Sequence, residues 1–167
     1  MLSGDDEEVR IWDLKTYQRF QILANNSRQW GQITTIKFIN RDVHTGMEWL
    51  CFGTGRGQFL VYHRSRRSVS ECIPLDLVSD VAQSEFTEYI HQAVFGPGDS
   101  IESFAFDTSA QRFAITSHYG LLQVFRVENA QLTRLWEETF REVIPRAVSF
   151  TDQGASVIVY VIETGMV

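Results

Sequence analysis

Apolar residues along this chain come in short bursts separated by polar turns. Val9 and Ile11 alternate with polar neighbours up to Trp12, a period of two that predicts a strand rather than a helix. Leu14-Lys15-Thr16 turns the chain, and Tyr17 to Leu23 reads as a strand returning antiparallel. Asn25-Asn26-Ser27 breaks the pattern before the next strand, Ile33-Thr34-Thr35-Ile36-Lys37-Phe38. A polar connection from Asn40 to Gly46 leads into Trp49-Leu50-Cys51-Phe52-Gly53. Thr54-Gly55-Arg56-Gly57 forms a tight turn, and Gln58-Phe59-Leu60-Val61-Tyr62-His63 runs back. Strands apolar at consecutive positions, such as Phe59 to Tyr62, predict a sheet sandwiched between neighbours, because both of its faces must be dry.

The bursts repeat. Ser3 to Leu14 is a polar turn feeding a strand that closes on Trp12-Asp13. Setting Tyr62-His63 under Trp12-Asp13 puts Gly57 under Glu7 and Val61 under Ile11. Setting Phe125-Arg126 there puts Gly120 under the same position. Glycine suits it, since short hairpin turns often demand positive φ. Inner strands recur in phase at Ile33 to Phe38, Ile101 to Phe106 and Ala147 to Phe150. Four-stranded units repeating in this way are the signature of propeller blades.

The chain resembles the WD-repeat β-propeller family over all but one insertion. Trp12-Asp13 is the family dipeptide, and Asp6 matches the acidic turn residue before it. The resemblance implies an all-β fold of four-stranded antiparallel blades, with Asp6, Trp12, Asp13, Gly57, Tyr62, Gly120 and Phe125 as structural repeat positions. It also implies a hydrogen-bond network of turn Asp, His, Ser or Thr, and Trp within a blade. Here Arg56 and Tyr119 replace the turn Asp, Tyr62-His63 and Phe125-Arg126 replace Trp-Asp, and no Gly-His pair precedes an inner strand. The expectation is blades held mainly by packing.

On this register the chain is one partial propeller with the end of a blade at 1–24, a full blade at 33–75, an inter-blade insertion at 76–100, a full blade at 101–140 and the start of a blade at 146–167. That makes about three blade equivalents, whereas propellers close with about four to eight. Three readings follow: a piece of a longer propeller, an open arc with exposed edges, or two copies completing each other's split blade to close a ring.

Within the insertion, Asp80 and Gln83 resemble a capping box, and Phe86, Tyr89, Ile90, Ala93 and Val94 recur at helical spacing. A helix is therefore expected, ended by Gly96-Pro97-Gly98, with Glu85, Glu88, His91 and Gln92 as candidate partner-docking residues. In the family such connections share a face with the turns at Asp5-Asp6, Arg56 and His118-Tyr119, a face commonly used for binding. Arg56, His118 and Tyr119 complete the candidate set. Arg64-Ser65-Arg66-Arg67-Ser68 reads as a basic solvated turn on the opposite face. Trp30 and Trp49, flanking an inner strand, read as packing residues.

Composition narrows the function. Hydrophobic content of 44% with 13% aromatics belongs to a strand-rich globular protein. A net charge of −6 argues against nucleic acid or an anionic membrane as partner. Cys51 and Cys72 make no disulfide framework, and no signal-peptide pattern opens the chain, so an intracellular place, cytoplasmic or nuclear, is expected. The sequon at Asn25 is then silent. His44, His63, His91 and His118 lie at no metal-ligand spacing, and Gly53 to Gly57 lacks the lysine and helix of a phosphate loop. No cofactor, metal or catalysis is expected. The reading is a non-catalytic protein-interaction scaffold within a propeller, with self-association through open blade edges as a further outcome. A functionless incomplete fragment and a propeller enzyme or its regulatory domain are the competing readings.

Overall fold

A computed structural model describes residues 2–4, 8–25, 29–42, 47–65, 84–151 and 154–163. Its strands are β1 (Leu2–Gly4), β2 (Glu8–Asp13), β3 (Gln18–Ala24), β4 (Ile33–Asp42), β5 (Met47–Thr54), β6 (Gln58–Ser65), β7 (Thr87–Ala93), β8 (Ile101–Asp107), β9 (Arg112–Ser117), β10 (Leu121–Glu128), β11 (Gln131–Thr139), β12 (Val143–Phe150) and β13 (Val157–Glu163). They form four antiparallel sheets in the orders β1-β2-β3, β4-β5-β6-β7, β8-β9-β10-β11 and β12-β13, here sheets 1 to 4. The inner strand β8 packs against both β4 and β12, and β11 meets β7 at the outer margin. Each sheet is a meander, so consecutive strands need only short turns.

One expectation is overturned. The stretch read as a helix through Phe86, Tyr89, Ile90, Ala93 and Val94 contains strand β7, and no helix occurs among the described residues. The fourth strand of sheet 2 is therefore 87–93, part of the stretch expected as an insertion, and Asp80 and Gln83 lie outside the described residues. The helical spacing arose from a β-bulge. Val61 pairs with Ile90 but Tyr62 pairs with Glu88, which leaves Tyr89 as an extra residue. The bulge lets Tyr89 and Ile90 both pack toward sheet 3, imitating an i+3, i+4 stripe. Pairing with the open edge of β6 overrides the local pattern, because unpaired backbone groups there would be costly.

The same bulge recurs between Ile11 and Trp12, between Val61 and Tyr62, and between Val124 and Phe125. It falls in phase with the sequence repeat, immediately before the Trp-like residue each time. The extra residues opposite are Phe20, Tyr89 and Leu135. Among the other turns, Asn129 and Ala130 both have positive φ, the geometry of a two-residue hairpin between β10 and β11.

Alternation along the strands builds three dry layers. From sheet 2, Leu50, Phe52, Leu60 and Tyr62 join Val9, Ile11 and Leu23 of sheet 1. From the opposite face, Trp49, Cys51, Phe59 and Val61 join Phe104, Phe113, Ile115 and Phe125 of sheet 3. Ala114, Leu122 and Val124 meet Val148 of sheet 4. Phe113 is fully buried and has rings of Trp49, Phe59, Phe104 and Phe106 around it at 4.6–6.2 Å. Trp30 is also buried, edge-on to Phe52. Gly53 is required where sheets 2 and 3 approach closely, since a Cβ there would lie 2.5 Å from the Ile101 side chain.

Polar ties fix the sheets in register. Gln21 Nε2 donates to the Phe86 carbonyl and its oxygen accepts from Phe86 N, joining sheets 1 and 2. Gln92 does the same to both backbone groups of Leu132, joining sheets 2 and 3. Between sheets 3 and 4, Arg112 donates to Asp107 at 2.7 Å and to the Gly154 carbonyl at 2.7 Å. Arg64, expected on a solvated turn, is instead mostly buried: it donates to Glu48 and lies 4.4 Å over the Phe86 ring. Arg66, Arg67 and Ser68 lie outside the described residues.

Two outcomes are predicted. Phe113→Ala removes a side chain central to the layer between sheets 2 and 3, and should lower stability in urea unfolding by about 3–5 kcal/mol. The second concerns acid. Burial raises the pKa of Asp107, but hydrogen bonds from Ser109, Arg112 and the backbone outweigh it and hold the carboxyl below its ordinary value. Its contribution is complete above the unfolded-state pKa, about 3.9, and is lost as pH falls through the lower folded-state value. The difference in melting temperature between wild type and Asp107→Asn should therefore be constant near neutrality and shrink below about pH 4.

Candidate functional site

The turns between second and third strands, 54–57 in sheet 2 and 117–120 in sheet 3, lie on one face of the arc. The segment 94–100 binds them together. A Cβ on Gly57 would meet the carbonyls of Asp99, Phe95 and Gly96 at 2.9–3.1 Å, and Gly57 O accepts from Val94 N and Phe95 N. At the other end of the segment, Asp99 Oδ1 accepts from Tyr119 N at 3.0 Å. Gly57 and Gly120 both have positive φ, and Gly120 O accepts from Phe140 N. The repeat glycines are thus where a turn and the exit of a fourth strand make backbone contact too close for a side chain.

Hydroxyls and one carboxylate do the work expected of the turn Asp. Thr54 Oγ1 accepts from Arg56 N and Gln58 N, and Ser117 Oγ accepts from Leu121 N. Asp99, buried, supplies the acid for sheet 3 from the preceding connection rather than from the turn itself. In sheet 1, Asp6 lies outside the described residues. Asp13 accepts from Lys15 N at 2.8 Å, which lowers its pKa and closes the turn after β2. Tyr62, at the Trp position, donates to Glu88; burial and the nearby Glu88 charge push its phenol up.

Tyr119 stands at the tip of the second turn, 69% exposed, with the His118 ring 5.7 Å away. Beneath them lies Glu102, at the start of inner strand β8 and nearly buried. Its carboxylate meets His118 Nδ1 at 2.7 Å and accepts from Arg146 of inner strand β12 at 2.5 Å. Two half-exposed nitrogen-rich side chains from different sheets are therefore held by one carboxylate beside an exposed aromatic ring. Arg56 packs along Gly31 at the neighbouring turn, its Cγ 3.1 Å from where a Cβ would be.

Of the sequence candidates, His118 and Tyr119 fall together and Arg56 lies on the next turn of the same face. Glu85, Glu88, His91 and Gln92 do not share one helical face, since they flank or belong to a strand. Gln92 is committed to Leu132, and His91 is bonded to Gln58. Glu102, Asp99 and Arg146 were missed. The usable signal was a polar residue beside the apolar run at matching ends of two inner strands. Among the described residues no group of three or more His, Cys, Asp or Glu is arranged to hold a metal ion, and no helix is long and apolar enough to cross a membrane. The thiol of Cys51 is fully buried, and burial pushes its pKa up.

No family model and no curated protein sequence matches the chain. Solved structures do. A chain of the mitotic checkpoint complex superposes with a TM-score of 0.64 at 11% identity, over 94% of this chain and 40% of that one. The WD40 repeats of RRP9 give 0.63 at 15%, over 95% and 42%. The β-propeller domain of Myceliophteria thermophila Cps50 (Swd1) gives 0.63 at 11%, over 98% and 46%. The chain thus spans less than half the length of these three. The computationally designed Ika4 protein gives 0.59 at 17%, over 96% and 84%. The fold is that of a partial WD-repeat β-propeller.

Asp99→Ala should remove the acceptor of the Tyr119 amide. Hydrogen exchange at Tyr119 is expected to accelerate while amides of β9 stay protected, with a stability loss of about 1 kcal/mol. Uniform loss of protection would instead make Asp99 a general determinant of the fold.

Proposed function

We propose that the chain is part of a non-catalytic platform for protein partners, and that the partner meets the face carrying Tyr119, His118, Arg146 and Arg56. The observation that carries this reading is the exposed Tyr119 ring beside His118 and Arg146, both held in place by Glu102. Tyr and Arg are the side chains most often found at binding hot spots, and holding them in advance lowers the ordering cost of association. Glu102 leaves His118 and Arg146 partly exposed, so they can meet a carboxylate or carbonyl of a partner while remaining fixed. Rigid sheets presenting several turns at fixed positions suit this task. A chain of similar fold was solved in the mitotic checkpoint complex, which agrees with a role among protein partners in general. Glu85, Glu88 and His91 stand outside the proposed surface.

The test is affinity capture with the immobilised chain, quantified for wild type and for Tyr119→Ala/Arg146→Ala. Retention of specific partners should fall roughly thirtyfold, the change expected from about 2 kcal/mol of hot-spot energy, with the melting curve unaltered. Undiminished capture would move the interaction off this face. Turnover of a hydrolase substrate abolished by Glu102→Gln would replace the platform with an enzyme.

A further inference from the structure

The layer between sheets 2 and 3 is built of rings and aliphatic side chains, with one amine among them. On β4, Ile36 packs toward sheet 1, while Lys37 and Ile39 turn toward sheet 3. Lys37 Nζ donates to the Phe104 carbonyl of β8 and lies 5.0 Å from the centre of the Phe104 ring. The contact is partly buried. Across the strand pair its partner on β5 is Cys51, which is fully buried, and burial pushes that thiol up. Lys15, on the exposed turn after β2, is the other lysine of the sequence.

An ammonium carries three N–H donors and is strongly hydrated in water. Among the described residues Lys37 finds one carbonyl and one ring face, and no carboxylate forms an ion pair with it. Taking such a charge part-way out of water without a counter-ion is costly. Burial accordingly lowers the Lys37 pKa and is the one cause of that shift. A neutral amine suits the place better. One of its N–H groups serves the Phe104 carbonyl, and the lone pair is then turned away from that oxygen, where an electrophile can meet it.

We propose that Lys37 is an acylation site, taking a short neutral acyl group such as acetyl from a thioester donor. The deprotonated amine adds to the thioester carbonyl carbon and a C–N bond forms. The C–S bond breaks, the sulfur leaves as thiolate with the bonding pair, and one amine proton passes to water. The product is a neutral amide whose single N–H still donates to the Phe104 carbonyl. The tie between β4 and β8 therefore survives, while the unpaired charge is gone. Methylation would keep that charge in place, so acylation is the modification the surroundings favour. Cys51 offers no competing nucleophile, because its thiol is sealed in the layer. The site is separate from the Tyr119 face, and neither reading depends on the other.

Trace labelling of the full chain with acetyl-coenzyme A, read by peptide mass spectrometry, tests this with Lys15 as the internal reference. In the folded protein Lys37 should acquire the acetyl group several-fold faster than Lys15, and in concentrated urea the two rates should converge. Equal or slower labelling of Lys37 in the folded chain would overturn the proposal. A preference for Lys37 that persists in urea would overturn it too, since the advantage would then lie in the local sequence and not in the packing. The acetylated chain should melt at the temperature of the unmodified one or above it. A lowered melt would mean that the fold requires the ammonium, and would overturn the proposal equally.

Discussion

Sheets 2 and 3 each need a dry neighbour on both sides, and much of the rest of the structure follows from that. Trp49 to Phe52 and Phe59 to Tyr62 are apolar at every position, so sheet 2 has no wet face to offer. It is stable only because sheets 1 and 3 press on it from both sides. The aromatic layer around Phe113 is the thickest of the three contacts and joins the two complete sheets. Among the described residues, the large apolar side chains Phe38 of sheet 2 and Trp136 of sheet 3 are partly exposed, and Ile158 and Tyr160 lie on the face of sheet 4 turned away from sheet 3.

Stacked sheets also determine where polar chemistry can occur. Backbone groups along the strands are taken up by pairing, and Gln21, Gln92 and Lys37 reach to the next sheet, the Lys37 ammonium donating to the Phe104 carbonyl. Burial lowers the Lys37 pKa, yet this contact and the Phe104 ring beneath it keep the residue between two inner strands. Groups able to meet a partner are left at the turns, where Thr54, Ser117 and Asp99 hold the backbone so that side chains at the tips stand out. Tyr119 is exposed because the backbone beneath it is fixed by Asp99.

The departures from the family pattern have a common physical account. A turn acid is useful because it accepts from backbone N–H groups that no strand can satisfy. Threonine, serine or an acid from a neighbouring connection can serve as acceptor equally well, so Arg56 and Tyr119 were free to occupy the tip. The Trp position tolerates Tyr62 and Phe125 for a similar reason: the bulge before it aims any large ring at the preceding sheet.

Much of this was legible in the sequence. Runs of two-sided apolar residues, the phase of Trp12, Tyr62 and Phe125, and the glycines at 57 and 120 defined the strands, the repeat and the tight turns, because each depends on local geometry and short-range periodicity. The strand at 87–93 was not legible. Its bulge made Tyr89 and Ile90 look helical, and only the open edge of β6 decided that the segment would pair. Nor could the sequence bring Glu102, His118 and Arg146 together, since they come from two sheets and meet through stacking, not through spacing along the chain. What local periodicity encodes, the sequence by itself determined; which edge is paired, which face is covered and which charges converge were decided by the packing of one sheet on the next.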